Sequence, residues 1–262
     1  MFWRGLPMEY VLLHWMGDKR GNQIPEGLNV TPLAIPIGTQ MLHATGLARA
    51  SKYRGEDGIA CPFFGDGATS EGDFHVGMNF AGVYDAATVF VCRNNQWAIS
   101  THKNLATGGE NFAARGLAYD IPSLRVDGND FLALYSVTKW ARERARAGKG
   151  ATYIEVYTYR AGAHSSSDDP SRYRPGDEFK CWPGGDPVER LKKHLISIGA
   201  WSEEKDNELR EKIDSEVMAA YKEACTFGDL ANGPFPPAST IFTEVYEEVP
   251  WHVQEQREEL GK

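Results

Sequence analysis

Two polar turns, each closing an apolar run, constrain the fold of this chain more than any other feature. Ile59-Ala60-Cys61-Pro62-Phe63-Phe64 runs into Gly65-Asp66-Gly67, and Thr88-Val89-Phe90-Val91-Cys92 runs through Arg93 into Asn94-Asn95. One helix-length stretch, Glu71 to Tyr84, separates them. A strand, a helix and a second parallel strand put both strand ends on one edge of a sheet, where open α/β sheets take their ligands. Asp66 and Asn95 then meet in one crevice. Both offer hard oxygen, which suits magnesium carrying a phosphorylated cofactor.

The loop after the first turn has its own reading. Gly65 and Gly67 permit a sharp bend and close approach to a ligand. Ser70 with Asp73 three residues on reads as a capping box opening the helix. The amides of Gly67, Ala68 and Thr69 then point outward from a helix N-terminus toward phosphate oxygens. No G-x-G-x-x-G follows a strand and no G-x-x-x-x-G-K-[ST] occurs, so nicotinamide and nucleoside-triphosphate sites lack their fingerprints.

The 262 residues carry a formal charge of −8 with acids and bases interleaved, which argues against nucleic acid or a membrane surface as partner. No apolar run approaches the roughly 20 residues of a membrane span, and no basic stretch followed by an apolar core opens the chain. The four cysteines show no C-x-x-C spacing. Cys61 and Cys92 sit in apolar runs and read as buried thiols, and the compartment as reducing and cytoplasmic.

Along the chain, helices are expected at Pro7 to Met16 and Gly38 to Tyr53, around a Gly/Asn/Pro-rich loop from Gly17 to Pro36. Strands are expected at 59–64, 87–92, 123–126 and 152–158. Asp127-Gly128-Asn129-Asp130 reads as turn and N-cap for a basic helix to about Ala147. Alternation of strands and helices implies an α/β, doubly wound parallel sheet with flanking helices. Residues 160–185 read as a long polar loop. From 186 to 262 a helical C-terminal extension is expected, with helices near 187–198 and 202–226. A break at Pro234, Pro236 and Pro237 precedes a last helix from Ser239, and the charged tail from Glu244 to Lys262 reads as a solvated helix or one lying on a partner. The whole, 1–262, reads as a single domain.

Gly65-Asp66-Gly67 with Asn94-Asn95 resembles the thiamine-diphosphate motif. The longer matches GDGATSEGDFHVGMNFA, VFVCRNNQWAIST, RVDGND and EVYTYRAGAHSSSDDPSRYR are similar to the alpha subunit of the 2-oxo acid dehydrogenase decarboxylating component. The double Asp in the last segment favours the branched-chain type over the pyruvate type. The resemblance runs from about Pro7 to Trp251. It implies a thiamine-diphosphate-binding fold and oxidative decarboxylation of a 2-oxo acid, with acyl transfer to a lipoyl group on a partner acyltransferase.

The resemblance also implies roles. Asp66, the side-chain oxygen of Asn95 and the backbone carbonyl of Trp97 hold Mg2+ on the cofactor diphosphate. Asn94 braces the turn instead. Ile35 and Ile37 align with a segment that contacts the cofactor through backbone. Thr39 and Gln40 align with positions that hold a structural K+ in some relatives, although helix capping is the plainer reading for Thr39. His164 is placed against the diphosphate, as donor or proton shuttle, and Ser165 matches a kinase target of mitochondrial relatives. Arg93 reads as a phosphate fork or as a surface ion pair. Arg172, Tyr173 and Arg174 are expected to order the loop through Asp168 and Asp169, and His43 and His75 to pack on their helices.

The chain departs from the pattern in two ways. Relatives carry a further N-terminal segment with a Tyr-Arg pair on the diphosphate, and Trp3-Arg4 lacks those surroundings. The carboxylate that activates the cofactor ring belongs to the beta subunit, so the complete site is expected at an α–β interface, in an α2β2 assembly. The competing readings are a pyruvate or acetoin dehydrogenase subunit, a non-catalytic remnant that binds the beta subunit, and a Rossmann-like phosphate binder.

Overall fold

The computed structural model describes the chain apart from Ala34, Pro183, Gly184, residues 229–232, Pro236, residues 243–245 and Lys262. In chain order the elements are α1 (Met8–Trp15), α2 (Thr39–Tyr53), β1 (Phe63–Gly65), α3 (Gly72–Val83), β2 (Val89–Asn94), β3 (Trp97–Ala98) and β4 (Thr101–His102). There follow α4 (Lys103–Ala106), α5 (Ala114–Leu117), β5 (Ser123–Asp127), α6 (Phe131–Arg146), β6 (Thr152–Tyr157), α7 (Pro187–Ser197), α8 (Glu203–Thr226) and α9 (Trp251–Glu259). They fall into two compact units, Met1–Leu33 with Glu204–Lys262, and Ala34–Glu203.

The Ala34–Glu203 unit holds a four-stranded parallel sheet in the order β1-β2-β6-β5. Its central strands are buried on both faces, as a parallel sheet requires. Phe90 and Cys92 of β2 pack with Phe64, Tyr153, Met41 of α2, and Phe74 and Met78 of α3. Val89 and Val91, on the alternate positions, pack with Ile154, Val156 and Ala141 of α6. Helices on both faces make the sheet doubly wound, as the alternation predicted. The C-terminal ends of β1, β2 and β6 therefore share one edge. Gly77 lets α2 and α3 touch: a Cβ there would lie 2.8 Å from Met41 Cβ.

Several boundaries moved for identifiable reasons. The first strand is only Phe63–Gly65, with a single bridge from Ala60 to Thr88 before it. Pro62 has no N–H and breaks the ladder. β2 extends to Asn94 because β6 pairs it as far as Tyr157. The capping box does not form. Residues Asp66–Ser70 make a separate 3-10 turn, α3 starts after Glu71 without a side-chain cap, and Asp73 accepts the Thr39 hydroxyl at 3.2 Å. Asp130 does cap α6, accepting from Ala133 N–H at 3.0 Å, and Asp186 caps α7.

Cys92 is buried, but Cys61 is exposed. It lies two residues before the exposed Phe63 of edge strand β1, on the same alternation. The last helix begins at Trp251, behind Pro250, after a 3-10 turn at Ala238–Phe242. Pro236 of the expected proline break, and Glu244 at the start of the tail, lie outside the described residues. Among the described residues no helix is long and apolar enough to cross a membrane.

Candidate functional site

Asp66 leaves the end of β1 and is only 1% exposed. Its Oδ1 accepts the Asn95 N–H at 3.3 Å, so the two predicted metal-binding turns do meet. Its Oδ2 is buried and has no hydrogen-bond partner among the described residues. Burial pushes the Asp66 carboxyl above its ordinary range, against the pull of backbone N–H groups and the Arg160 charge. An acceptor left this way costs about 1–3 kcal/mol. A divalent cation at that oxygen removes the cost, so the donor set fits Mg2+. Among the described residues no three His, Cys, Asp or Glu side chains converge on a metal-sized site.

Asn94 braces the second turn, as its sequence reading held. Its Oδ1 accepts both the N–H and the side-chain amide of Gln96 at 3.1 Å. Gln96 sits at φ 75°, the left-handed region, which that side-chain bonding helps to hold. Asn95 Oδ1 accepts the Trp97 N–H at 3.1 Å, which keeps one of its lone pairs open. The Trp97 carbonyl accepts from Arg160 Nη1 at 3.0 Å, and the Arg160 N–H donates to the Asn95 carbonyl at 3.1 Å. The chain leaving β6 thus locks onto the turn leaving β2.

The glycines work differently from expectation. A Cβ on Gly67 would lie 2.8 Å from Ala98 Cβ, whereas Gly65 faces open space. Gly67 therefore admits the β3–β4 hairpin. Ala68 and Thr69 are buried, and their amides belong to the short 3-10 turn, not to the N-terminus of α3. Gly67→Ala is expected to cost about 1–3 kcal/mol by overpacking and to displace Trp97. A shifted urea midpoint with altered tryptophan emission checks this.

The other predicted residues are less concentrated. The backbone N–H of His164 donates to Asp168 Oδ2 at 2.7 Å, an oxygen that also accepts the Tyr173 hydroxyl at 2.7 Å. Asp168 lies 3.9 Å from Arg160, so the His164 loop connects to the Trp97 carbonyl through two side chains. Hydrogen bonds from the His164 and Tyr173 groups hold the Asp168 carboxyl below its usual range. Tyr173 thus orders the loop as expected. Arg174 does not act through Asp168 or Asp169: it donates to the carbonyls of Arg160, Ala161 and Gly162. Arg174→Leu is expected to strand those carbonyls and raise proteolytic cleavage within residues 160–174, read by digestion at fixed protease.

Arg93 is exposed and shares its sheet face with Val89 and Val91, opposite Asn94; no ion pair of its guanidinium occurs with a described residue. Ile35 and Ile37 are 75% and 62% exposed, with no hydrogen bond to the Asp66 turn. Thr39 is the first residue of α2 rather than its cap, which is Gly38. Gln40 accepts from the Gly38 N–H at 3.1 Å and donates to the Phe63 carbonyl at 3.3 Å, so the Thr39 and Gln40 side chains both have protein partners. His43 and His75 are exposed, and His75 bonds the Tyr119 hydroxyl at 2.7 Å.

Sequence reasoning gave no role to Arg160, Arg115 or Glu155. Glu155 is fully buried in β6. A lone carboxylate inside a β-branched and aromatic strand is the one sequence signal that could have found it.

The family model "Dehydrogenase E1 component" matches residues 1–230. The chain is 50% identical, over 226 residues, to the 2-oxoisovalerate dehydrogenase subunit alpha of Pseudomonas aeruginosa, covering 86% of this chain and 55% of that protein. It is 42% identical, over 259 residues, to the pyruvate dehydrogenase E1 component subunit alpha of Staphylococcus aureus (strain Mu50), covering 98% of this chain and 68% of that protein. The Staphylococcus epidermidis protein of the same name matches to the same extent. The chain thus spans little more than half the length of the Pseudomonas relative. With its strand-end turns, parallel sheet and a match over most of its length, this chain belongs to the dehydrogenase E1 component family.

Proposed function

We propose that this chain is the alpha subunit of a branched-chain 2-oxo acid dehydrogenase, and that its Ala34–Glu203 unit anchors thiamine diphosphate through Mg2+. The observation that carries the reading is Asp66 Oδ2, a buried carboxylate oxygen without a partner among the described residues, beside the Asn95 turn. Asp66, the Asn95 side-chain oxygen and the Trp97 carbonyl would hold the ion, with phosphate oxygens and water completing an octahedral shell. Arg160 orients the Trp97 carbonyl and supplies positive charge near the diphosphate. The His164 loop, tied to Arg160 through Asp168 and Tyr173, would bring His164 toward the diphosphate. The cofactor, when bound, supplies the nucleophilic carbon that lets a 2-oxo acid lose carbon dioxide.

On this reading the chain's own residues anchor and orient. We assign the acid that activates the cofactor ring to a beta subunit, in an α2β2 assembly, and acyl transfer to a lipoyl-bearing acyltransferase. The branched-chain substrate is favoured over pyruvate by 50% against 42% identity and by the Asp168-Asp169 pair. Cys61, Cys92, Cys181 and Cys225 are free thiols, which supports a reducing, cytoplasmic setting.

The test is to co-express the chain with its beta subunit and titrate thiamine diphosphate with Mg2+. Binding that requires Mg2+ and is lost in Asp66→Ala and Asn95→Ala is expected. A stable complex that binds no cofactor identifies a non-catalytic remnant instead. Turnover of 3-methyl-2-oxobutanoate against pyruvate then decides the substrate.

A further inference from the structure

The turns that carry Asp66 and Asn95 belong to different strands, yet a single buried carboxylate reaches toward both. Glu155, on the central strand β6, is 0% exposed. Its Oε1 accepts from Asn94 Nδ2 at 2.6 Å, and its Oε2 accepts the Ala113 N–H at 2.8 Å. Through Asn94, whose Oδ1 takes the Gln96 N–H, the first oxygen fixes the turn that presents Asn95 and Trp97. Through Ala113, the second pins the start of α5, and Arg115 on α5 donates to the carbonyls of Thr69 and Ala106. Thr69 closes the turn that presents Asp66, its hydroxyl bonding the Asp66 carbonyl at 2.6 Å. Arg125 Nε, 3.6 Å from Oε1, offsets the charge from the far side.

We propose that Glu155 is a positioning residue that sets the spacing of Asp66 and Asn95 by bracing both turns from beneath the sheet edge. The inference rests on the cofactor reading above. Both Glu155 oxygens act as acceptors, so an amide cannot replace the carboxylate: one of its two ends would present N–H groups to another donor. The defect is correctable in one way. With Asn94→Asp added to Glu155→Gln, donor and acceptor exchange places across the pair, the Ala113 N–H keeps its acceptor and the Gln96 N–H keeps its own.

The experiment compares the full chain, co-expressed with its beta subunit, with its Glu155→Gln, Glu155→Gln plus Asn94→Asp, and Arg115→Met variants. It reads hydrogen exchange of the backbone amides at 66–69 and 95–97, together with Mg2+-dependent thiamine diphosphate binding. Glu155→Gln is expected to speed exchange in both turns and weaken binding by about tenfold or more, the usual effect of losing a ligand's supporting partner. The paired substitution is expected to reverse both effects. Arg115→Met, which cuts only one arm, should loosen 66–69 and leave 95–97 protected; it stands in for Glu155→Gln if that variant does not fold.

Exchange that rises only along β6, with both turns and the affinity unchanged, overturns the proposal. So does an Arg115→Met chain whose 66–69 amides stay protected. An Asp66→Ala control that binds the cofactor like the parent chain overturns the cofactor reading instead, and the exchange pattern then decides the role of Glu155 alone.

Discussion

Asp66→Asn is expected to stabilise the metal-free chain while removing all stabilisation by Mg2+ and thiamine diphosphate. Burial raises the Asp66 carboxyl above its ordinary value, so in the window between the two values the folded state holds a proton that the unfolded state has lost. Stability then falls as pH rises through that window, because the native state binds more protons there. Above it the native chain carries a buried charge whose Oδ2 lacks a partner. Asparagine removes that charge and keeps the acceptor for the Asn95 N–H, a gain of about 1 kcal/mol at neutral pH that vanishes below the ordinary Asp range.

In the parent chain, cofactor and metal at a hundredfold excess over Kd add about 2.7 kcal/mol, and more of it as pH rises, since the ion takes the deprotonated carboxylate. Thermal melts across pH, with and without Mg2+ and cofactor, check both halves. A metal-free Asp66→Asn chain less stable than its parent at neutral pH would mean that Oδ2 has a structural partner.

The second large effect belongs to Glu155. Glu155→Ala is expected to cost about 3–5 kcal/mol, because it leaves the Asn94 amide and the Ala113 N–H buried without acceptors and opens a cavity in the centre of the sheet. Domains of this size are stable by about 5–15 kcal/mol, so the variant should unfold at markedly lower urea. A midpoint within the error of the parent chain would show that solvent or a rearranged side chain satisfies both donors. Glu155→Ala and Asp66→Asn therefore move stability in opposite directions, although both remove a buried carboxylate. One acid has both acceptor oxygens filled by the protein, and the other has one oxygen with no partner among the described residues.

The contrast shows where sequence reasoning reached and where it stopped. Helices α2, α3, α6 and α7 and strands β2, β5 and β6 were legible because period and punctuation are local. Apolar spacing, Asp130 and Asp186 as caps, and β-branched runs act within a few residues of themselves. The first strand was overdrawn because apolar character outweighed Pro62. The capping box failed because Asp73 found Thr39, distant in sequence, across the helix packing that Gly77 permits. The sequence offers Gly67 as a site of sharp bending, but its contact with Ala98 arises only when the β3–β4 hairpin folds back.

By itself the sequence determined the parallel α/β order, the pairing of Asp66 with Asn95 at one sheet edge, and the family, since each depends on residue type at short or regular spacing. Tertiary structure alone decided which groups support them. Arg160 on the Trp97 carbonyl, Arg115 on the Thr69 turn and Glu155 beneath both turns are contacts between segments far apart in the chain. Their partners are backbone groups or buried amides, which leave no mark in residue type, so only the folded arrangement of strand ends brings them into reach.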